Sequence, residues 1–142
     1  MRLVVLDTNV LVSAGIKATS APAQIVMEWV LEGRIQVVTC PWLAGEYREV
    51  VRRSKFRKYG FPPPWLDFLL EESLELPDPA SWPHAGPDPK DLPVLALAHS
   101  AGAWLVTGNL KHFPEAIRGG VKILAPRDYL SHLTGPPLKP VT

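Results

Sequence analysis

Three carboxylates and an amide stand where an α/β fold does chemistry in this sequence: Asp7, Glu46, Asp91 and Asn109. Asp7 follows the unbroken apolar run Leu3-Val4-Val5-Leu6 with no turn residue between. Such a run reads as a strand buried on both faces, and open parallel sheets hold their ligands at the carboxyl ends of such strands. Glu46 falls early in the helical segment after a second apolar run, Asp91 opens the helix before a later one, and Asn109 follows that later run as Asp7 follows the first. Several carboxylates converging on one sheet edge, with no lysine or arginine at matching positions, repel one another, and a bound divalent cation removes that cost. Oxygen donors select a hard ion, Mg²⁺ or Mn²⁺, rather than zinc. The one cysteine and the histidines at 84, 99, 112 and 132 show no zinc-ligand spacing. A carboxylate-held ion activates water and offsets charge developing on phosphorus, so phosphodiester hydrolysis is the natural reaction class. Asp7 also suits the simpler role of capping the next helix, for which Thr8 and Asn9 are further good residue types.

The elements that must position these residues follow from periodicity. Ser20 with Pro22 opens a helix in which Ile25, Val26, Trp29 and Val30 share a face, Gly33 ends it, and Ile35 to Thr39 is a second buried strand. Pro41 opens the helix that carries Glu46, with Leu43, Tyr47, Val50 and Val51 on its apolar face. Phe61-Pro62-Pro63-Pro64 breaks the chain, and Trp65, Phe68, Leu69 and Leu70 then form an amphipathic helix, so that the two helices make a hairpin standing out from the sheet. Leu74 to Leu76 is a short edge strand, and residues 77–90, rich in Pro, Asp and Gly, form a stiff loop. Pro93 fits only a first helical turn, so the next helix starts near Asp91 and ends at Gly102. Strands over 103–106 and 121–124 and a last helix from Pro126 complete a three-layer α/β/α architecture around a mostly parallel sheet of Rossmann-like topology. One domain over residues 1–134 is expected, followed by a Pro-rich C-terminal tail over 135–142.

Composition bounds the function classes. The 46% apolar and 20% charged content is that of an ordinary globule, and the net charge of +1 excludes a generally basic nucleic-acid binder. Any nucleic-acid contact must come from a local patch, for which the run of Arg48, Arg52, Arg53, Lys55, Arg57 and Lys58 beside Glu46 is the candidate, a solvated helix face being the simpler reading. No apolar stretch approaches the roughly 20 residues needed to span a bilayer, so no membrane partner is expected. Cys40, between an apolar run and Pro41, reads as a small buried residue, and a single cysteine suits a reducing, cytoplasmic setting.

The motifs go further than the spacing. Leu6-Asp7-Thr8-Asn9-Val10-Leu11, Glu46 after the second strand, Asp91 before Val94-Leu95-Ala96-Leu97-Ala98, and Leu105-Val106-Thr107-Gly108-Asn109-Leu110-Lys111-His112-Phe113 resemble, in order, the four motifs of the PIN-domain family. The resemblance covers nearly the whole chain. It implies a PIN-like fold and a metal-dependent endoribonuclease, similar to the VapC-like toxins of type II toxin–antitoxin pairs, with RNA as substrate and a cognate antitoxin protein as partner. By the same resemblance Asp7, Glu46 and Asp91 are metal ligands for Mg²⁺ or Mn²⁺, and Asn109 takes a catalytic place that carries a fourth acid in many members. Here it is neutral, which weakens a second metal site. Asp88 is a spare acid, Thr8, Asn9 and Thr107 are candidate supports for water or phosphate, and His112 either faces the site or, as the simpler reading, is structural. The alternative is a non-cleaving PIN-fold module that binds RNA or protein. A haloacid-dehalogenase-type phosphatase fits less well, since Asn9 stands where its second acid belongs, and no Gly-x-Gly-x-x-Gly follows the first strand. Apolar positions on the 65–70 helix make a homodimer the expected assembly.

Overall fold

Five short strands account for most of the buried apolar runs, and all pair in parallel. In this computed structural model, which describes residues 2–135, β1 (Arg2–Leu6) lies at the centre, with β2 (Ile35–Thr39) on one side and β4 (Trp104–Val106) on the other. The edges are β3 (Leu74–Glu75) beyond β2 and β5 (Ile123–Leu124) beyond β4, giving the order β3-β2-β1-β4-β5. The sheet expected to be mostly parallel is therefore parallel throughout. Val4, Val5 and Leu6 are shut off from solvent on both faces, which explains why the run lacks polar alternation.

The helices are α1 (Thr8–Ile16), α2 (Ala21–Gln24, continuing as a wider π turn over Ile25–Val30), α3 (Pro41–Val51), α4 (Trp65–Glu72), α5 (Leu92–Ala101) and α6 (Pro126–Thr134). Right-handed crossovers leave α1 to α4 on one face of the sheet and α5 on the other, and α6 returns to pack on α2. Gly102 ends α5 in a left-handed conformation (φ +64°) that suits a residue without a Cβ. Among the described residues no single helix is long and apolar enough to cross a membrane. All but the first residue of the tail expected over 135–142 lies outside the described residues.

One expectation is corrected here. The α3–α4 hairpin does not stand away from the sheet: α4 packs on β2, burying Leu66 and Leu69 and leaving Phe68 47% exposed. With Trp65, Leu66, Phe68, Leu69 and Leu70 all apolar, helical period alone does not fix which side turns inward.

Two buried tyrosines offer a matched test of the core. The Tyr47 hydroxyl donates to the Leu6 carbonyl at the end of β1, whereas the equally buried Tyr129 hydroxyl has no hydrogen-bond partner among the described residues. Tyr47→Phe is expected to cost about 1–2 kcal/mol, a few degrees of Tm, while Tyr129→Phe leaves Tm unchanged or slightly raised. Equal losses in thermal melts of the two variants would contradict this reading.

Candidate functional site

The carboxyl ends of β1 and β4, together with the helices that follow β2 and precede β4, bring the predicted acids to one edge. Asp7 ends β1, where its N–H continues the ladder to the Val106 carbonyl at 2.9 Å, and it also caps α1. Its Oδ1 accepts from the Thr8 N–H at 2.8 Å, and its Oδ2 accepts from the Thr107 hydroxyl at 2.8 Å and the Asn9 amide at 3.3 Å. Only 5% of Asp7 is exposed. Burial pushes its carboxyl above the usual carboxylate range, against the pull of those three hydrogen bonds and of the nearby His112.

Because Asp7 itself is the cap, Thr8 and Asn9 are released from that role. The Thr8 hydroxyl donates to Glu46 Oε2 at 2.5 Å, and Asn9 Oδ1 accepts from the Gly108 N–H at 2.9 Å. A Cβ at position 108 would lie 3.1 Å from Asn9 Oδ1, so glycine permits this close approach. Glu46 is half-buried on α3. Burial pushes its carboxyl upward, the Thr8 hydroxyl opposes this, and the charges of Asp7 and Glu49 add to it, with Arg53 countering.

Asp91 stands at the N-cap position of α5, at the end of a 3₁₀ turn over Pro89–Asp91, and its side chain makes no capping hydrogen bond. Burial, followed by the charges of Asp7 and Asp88, pushes its carboxyl up to about 6, and His112 holds it back. His112 Nδ1 and Asp91 Oδ2 share a hydrogen bond of 2.9 Å. The His112 ring thus faces Asp91, one of the two places that the sequence left open for it. Asp7 acts by its charge on both Glu46 and Asp91, far apart in sequence, but among the described residues the acids whose donor atoms lie within 4.8 Å of one another are Asp88 and Asp91, with His112, and not these three. Among the described residues no lysine or arginine forms an ion pair with any of the three. An unneutralised pocket of oxygen donors, one of them deeply buried, fits a hard divalent cation.

Other predicted residues take lesser places. Asp88 caps the 3₁₀ turn, accepting from the Lys90 N–H at 3.0 Å, and one ligand atom each from Asp88, Asp91 and His112 lies within 4.8 Å of the others. The half-buried Asn109 donates its backbone N–H to Thr107 Oγ1 at 3.0 Å, and its side chain makes no hydrogen bond among the described residues. Thr107 is fully buried, with its hydroxyl between that N–H and Asp7. Of the basic run, Arg53 pairs with Glu49 at 3.6 Å and reaches Glu46 with its charge. Arg48 and Arg52 are exposed with no acidic partner among the described residues.

Two positioning residues have no local signal. Tyr47, which reads as one more apolar position, ties α3 to the end of β1 one residue before Asp7. Asp78, set between two prolines of the 77–90 loop, accepts from the Trp42 N–H at 2.9 Å and so caps α3 from 36 residues away. A buried Tyr implies a partner for its hydroxyl, and that is the one hint the sequence carries.

Compared with known proteins, the sequence model described as "PIN domain" matches residues 3–111. No curated protein matches the sequence. Among solved structures the chain is similar to VapBC2 from Rickettsia felis bound to a DNA fragment from their promoter, with a TM-score of 0.59 and 18% identity, covering 87% of this chain and 98% of that one. Identity that low speaks for the fold.

Proposed function

The chain belongs to the PIN domain family, and from that premise we propose that it is a Mg²⁺- or Mn²⁺-dependent endoribonuclease, the toxin of a toxin–antitoxin pair acting in the cytoplasm. The observation that carries the reading is the buried Asp7 carboxyl, whose charge acts on both Glu46 and Asp91 with no lysine or arginine paired to any of the three among the described residues. Asp7, Glu46 and Asp91 would hold the ion, which supplies an activated water and offsets the charge developing on the phosphoryl oxygens. The rest is the work of this chain. Thr107 and Asn9 fix the Asp7 carboxylate, Thr8 orients Glu46, and Tyr47 locks the Glu46 helix to the strand that ends at Asp7. Asn109 lies beside the acids as a neutral donor and acceptor, suited to orient the phosphodiester without adding charge. Arg48, Arg52 and Arg53 offer the RNA backbone its countercharge.

The partner follows from likeness. A structural neighbour is a toxin–antitoxin complex held on its promoter DNA, which supports a separate antitoxin chain for this protein. Phe68, exposed on α4, supports a homodimer through that helix.

The deciding experiment incubates untagged protein with single-stranded RNA. Internal cuts that appear with Mg²⁺ or Mn²⁺, stop with EDTA and vanish in Glu46→Gln are expected. Intact RNA under both metals, or cutting that survives EDTA, overturns the assignment. The second reading, a module that binds RNA without cutting it, is favoured only by the neutral Asn109, and it predicts retention of RNA with no products. For the basic helix end, the double change of Arg52 and Arg53 to Ala should lower the slope of log K against log salt by about 1–2. An unchanged slope would leave these side chains as solvated surface.

A further inference from the structure

We propose that Trp42 is a stacking platform for one unpaired base of the substrate, seated one helical turn from Glu46, and that it confines the enzyme to single-stranded RNA. The proposal rests on the reading of this chain as a ribonuclease, and adds to it a contact for the base and a class of substrate.

Trp42 differs from the other four tryptophans of the chain. Trp29, Trp65, Trp82 and Trp104 pack against the core, whereas Trp42 stands 36% exposed at the start of α3. Its ring stacks on no aromatic side chain among the described residues. A single exposed indole is ordinary by itself, and its place is what gives it meaning.

Three features put the ring beside the acids. First, α3 starts at the carboxyl end of β2, next to the end of β1 that carries Asp7. Trp42 and Glu46 are four residues apart, so they are neighbours on one face of α3, about 6 Å apart along its axis. Second, Gly45 lies on the same surface, three residues after Trp42 and next to Glu46. A Cβ there would meet nothing within 4 Å, so no packing demands glycine, which is among the poorest helix formers. It leaves bare backbone beside the indole, where a nucleotide meets no side chain. Third, the backbone under the ring is fixed. The Trp42 N–H donates to Asp78 Oδ1 at 2.9 Å, and Asp78 stands between Pro77 and Pro79. A platform anchored in this way loses little freedom when a base settles on it.

The occupant follows from charge and shape. Arg48 and Arg52 are exposed further along the same helix, and the exposed Lys55, Arg57 and Lys58 come after it. An open ring with a run of cations beyond it fits a polyanion whose bases have free faces, which is single-stranded nucleic acid. In an A-form duplex the bases already stack on one another, and reaching the ring would require unpairing.

The test uses RNA with one base removed. Short single-stranded oligomers with an abasic site, moved along the strand, are bound to untagged protein in EDTA. In the wild type one position is expected to cost about 10–100-fold in affinity. Trp42→Ala should bind the intact strand more weakly by the same factor and lose that position-specific penalty, and Trp42→Phe should restore most of both. Trp42→Leu, which keeps apolar bulk without a ring face, replaces the alanine variant if that one fails to fold. In metal-dependent cutting, Trp42→Ala should raise KM by a similar factor with kcat little changed. Equal penalties at every position in the wild type, or a penalty that persists without the ring, overturn the proposal. A Trp42-dependent position with no cutting under Mg²⁺ or Mn²⁺ sinks the nuclease assignment alone. Cutting with a KM that Trp42→Ala leaves unmoved sinks this inference alone, and RNA neither bound nor cut sinks both.

Discussion

Replacing Asp7 with asparagine is expected to abolish RNA cleavage while leaving the metal-free protein as stable as the wild type, or more so. The two effects have one cause. Asp7 is a buried carboxylate whose charge acts on Glu46 and Asp91 and is met by three hydrogen bonds and the nearby His112, with no lysine or arginine paired to it among the described residues. Asparagine keeps an oxygen for the Thr8 N–H, and the Thr107 hydroxyl can accept from the new amide beside the Asn109 N–H, so the losses are the acceptor for the Thr107 O–H and the weak 3.3 Å bond from Asn9. Against those losses stands the removal of a desolvated charge and of two repulsions, which outweighs about 1 kcal/mol for each neutral hydrogen bond. Saturating Mn²⁺ reverses the ranking, because binding at 100 times Kd adds about 2.7 kcal/mol to the wild type and little to the variant. The measurement is a pair of melts, with EDTA and with Mn²⁺. A lower Tm for the variant in EDTA would contradict the repulsion argument.

The same acids give the metal-free protein an inverted pH profile. Carboxyls raised above their unfolded values keep protons that the unfolded chain has released, so the native state binds more protons and stability falls as pH rises. For Asp91 the window runs from its ordinary 3.8 to about 6, with Asp7 and Glu46 shifted in the same direction. Over this window Asp91 alone accounts for a loss on the order of 2 kcal/mol, after which the profile levels. Divalent ions compete with those protons, so the gain in Tm on adding Mn²⁺ should widen from pH 5 to pH 7. A metal-free Tm that climbs over this range, together with a constant Mn²⁺ gain, would refute the charge-crowded pocket.

Legibility in the sequence followed the physics of each element. The strands were readable because parallel strands buried on both faces leave unbroken apolar runs, and β2 begins and ends where its apolar run does. The placement of Asp7, Glu46 and Asp91 beside strand ends and helix starts was readable because it is a local feature. What escaped depends on distance in the chain. Nothing near His112 signals that its ring meets a carboxyl 21 residues earlier, and nothing near Trp42 signals that Asp78 caps its helix. Thr8 and Asn9 looked like caps because residue type alone does not say which of three adjacent candidates takes the position. The inward side of α4 was ambiguous because five of the six residues from Trp65 to Leu70 are apolar.

The sheet order carries a consequence for synthesis on the ribosome. β1 lies between β2 and β4, so the N-terminal part of the chain supplies one flank, with Asp7 and Glu46, and the later part supplies Asp91, Thr107 and His112 with the other. A nascent polypeptide that has emerged only through β3 exposes the bare side of β1 and carries two acids without the third. Such a fragment lacks Asp91 and the Thr107 hydroxyl that donates to Asp7, and the predicted acids come together only when β4 docks.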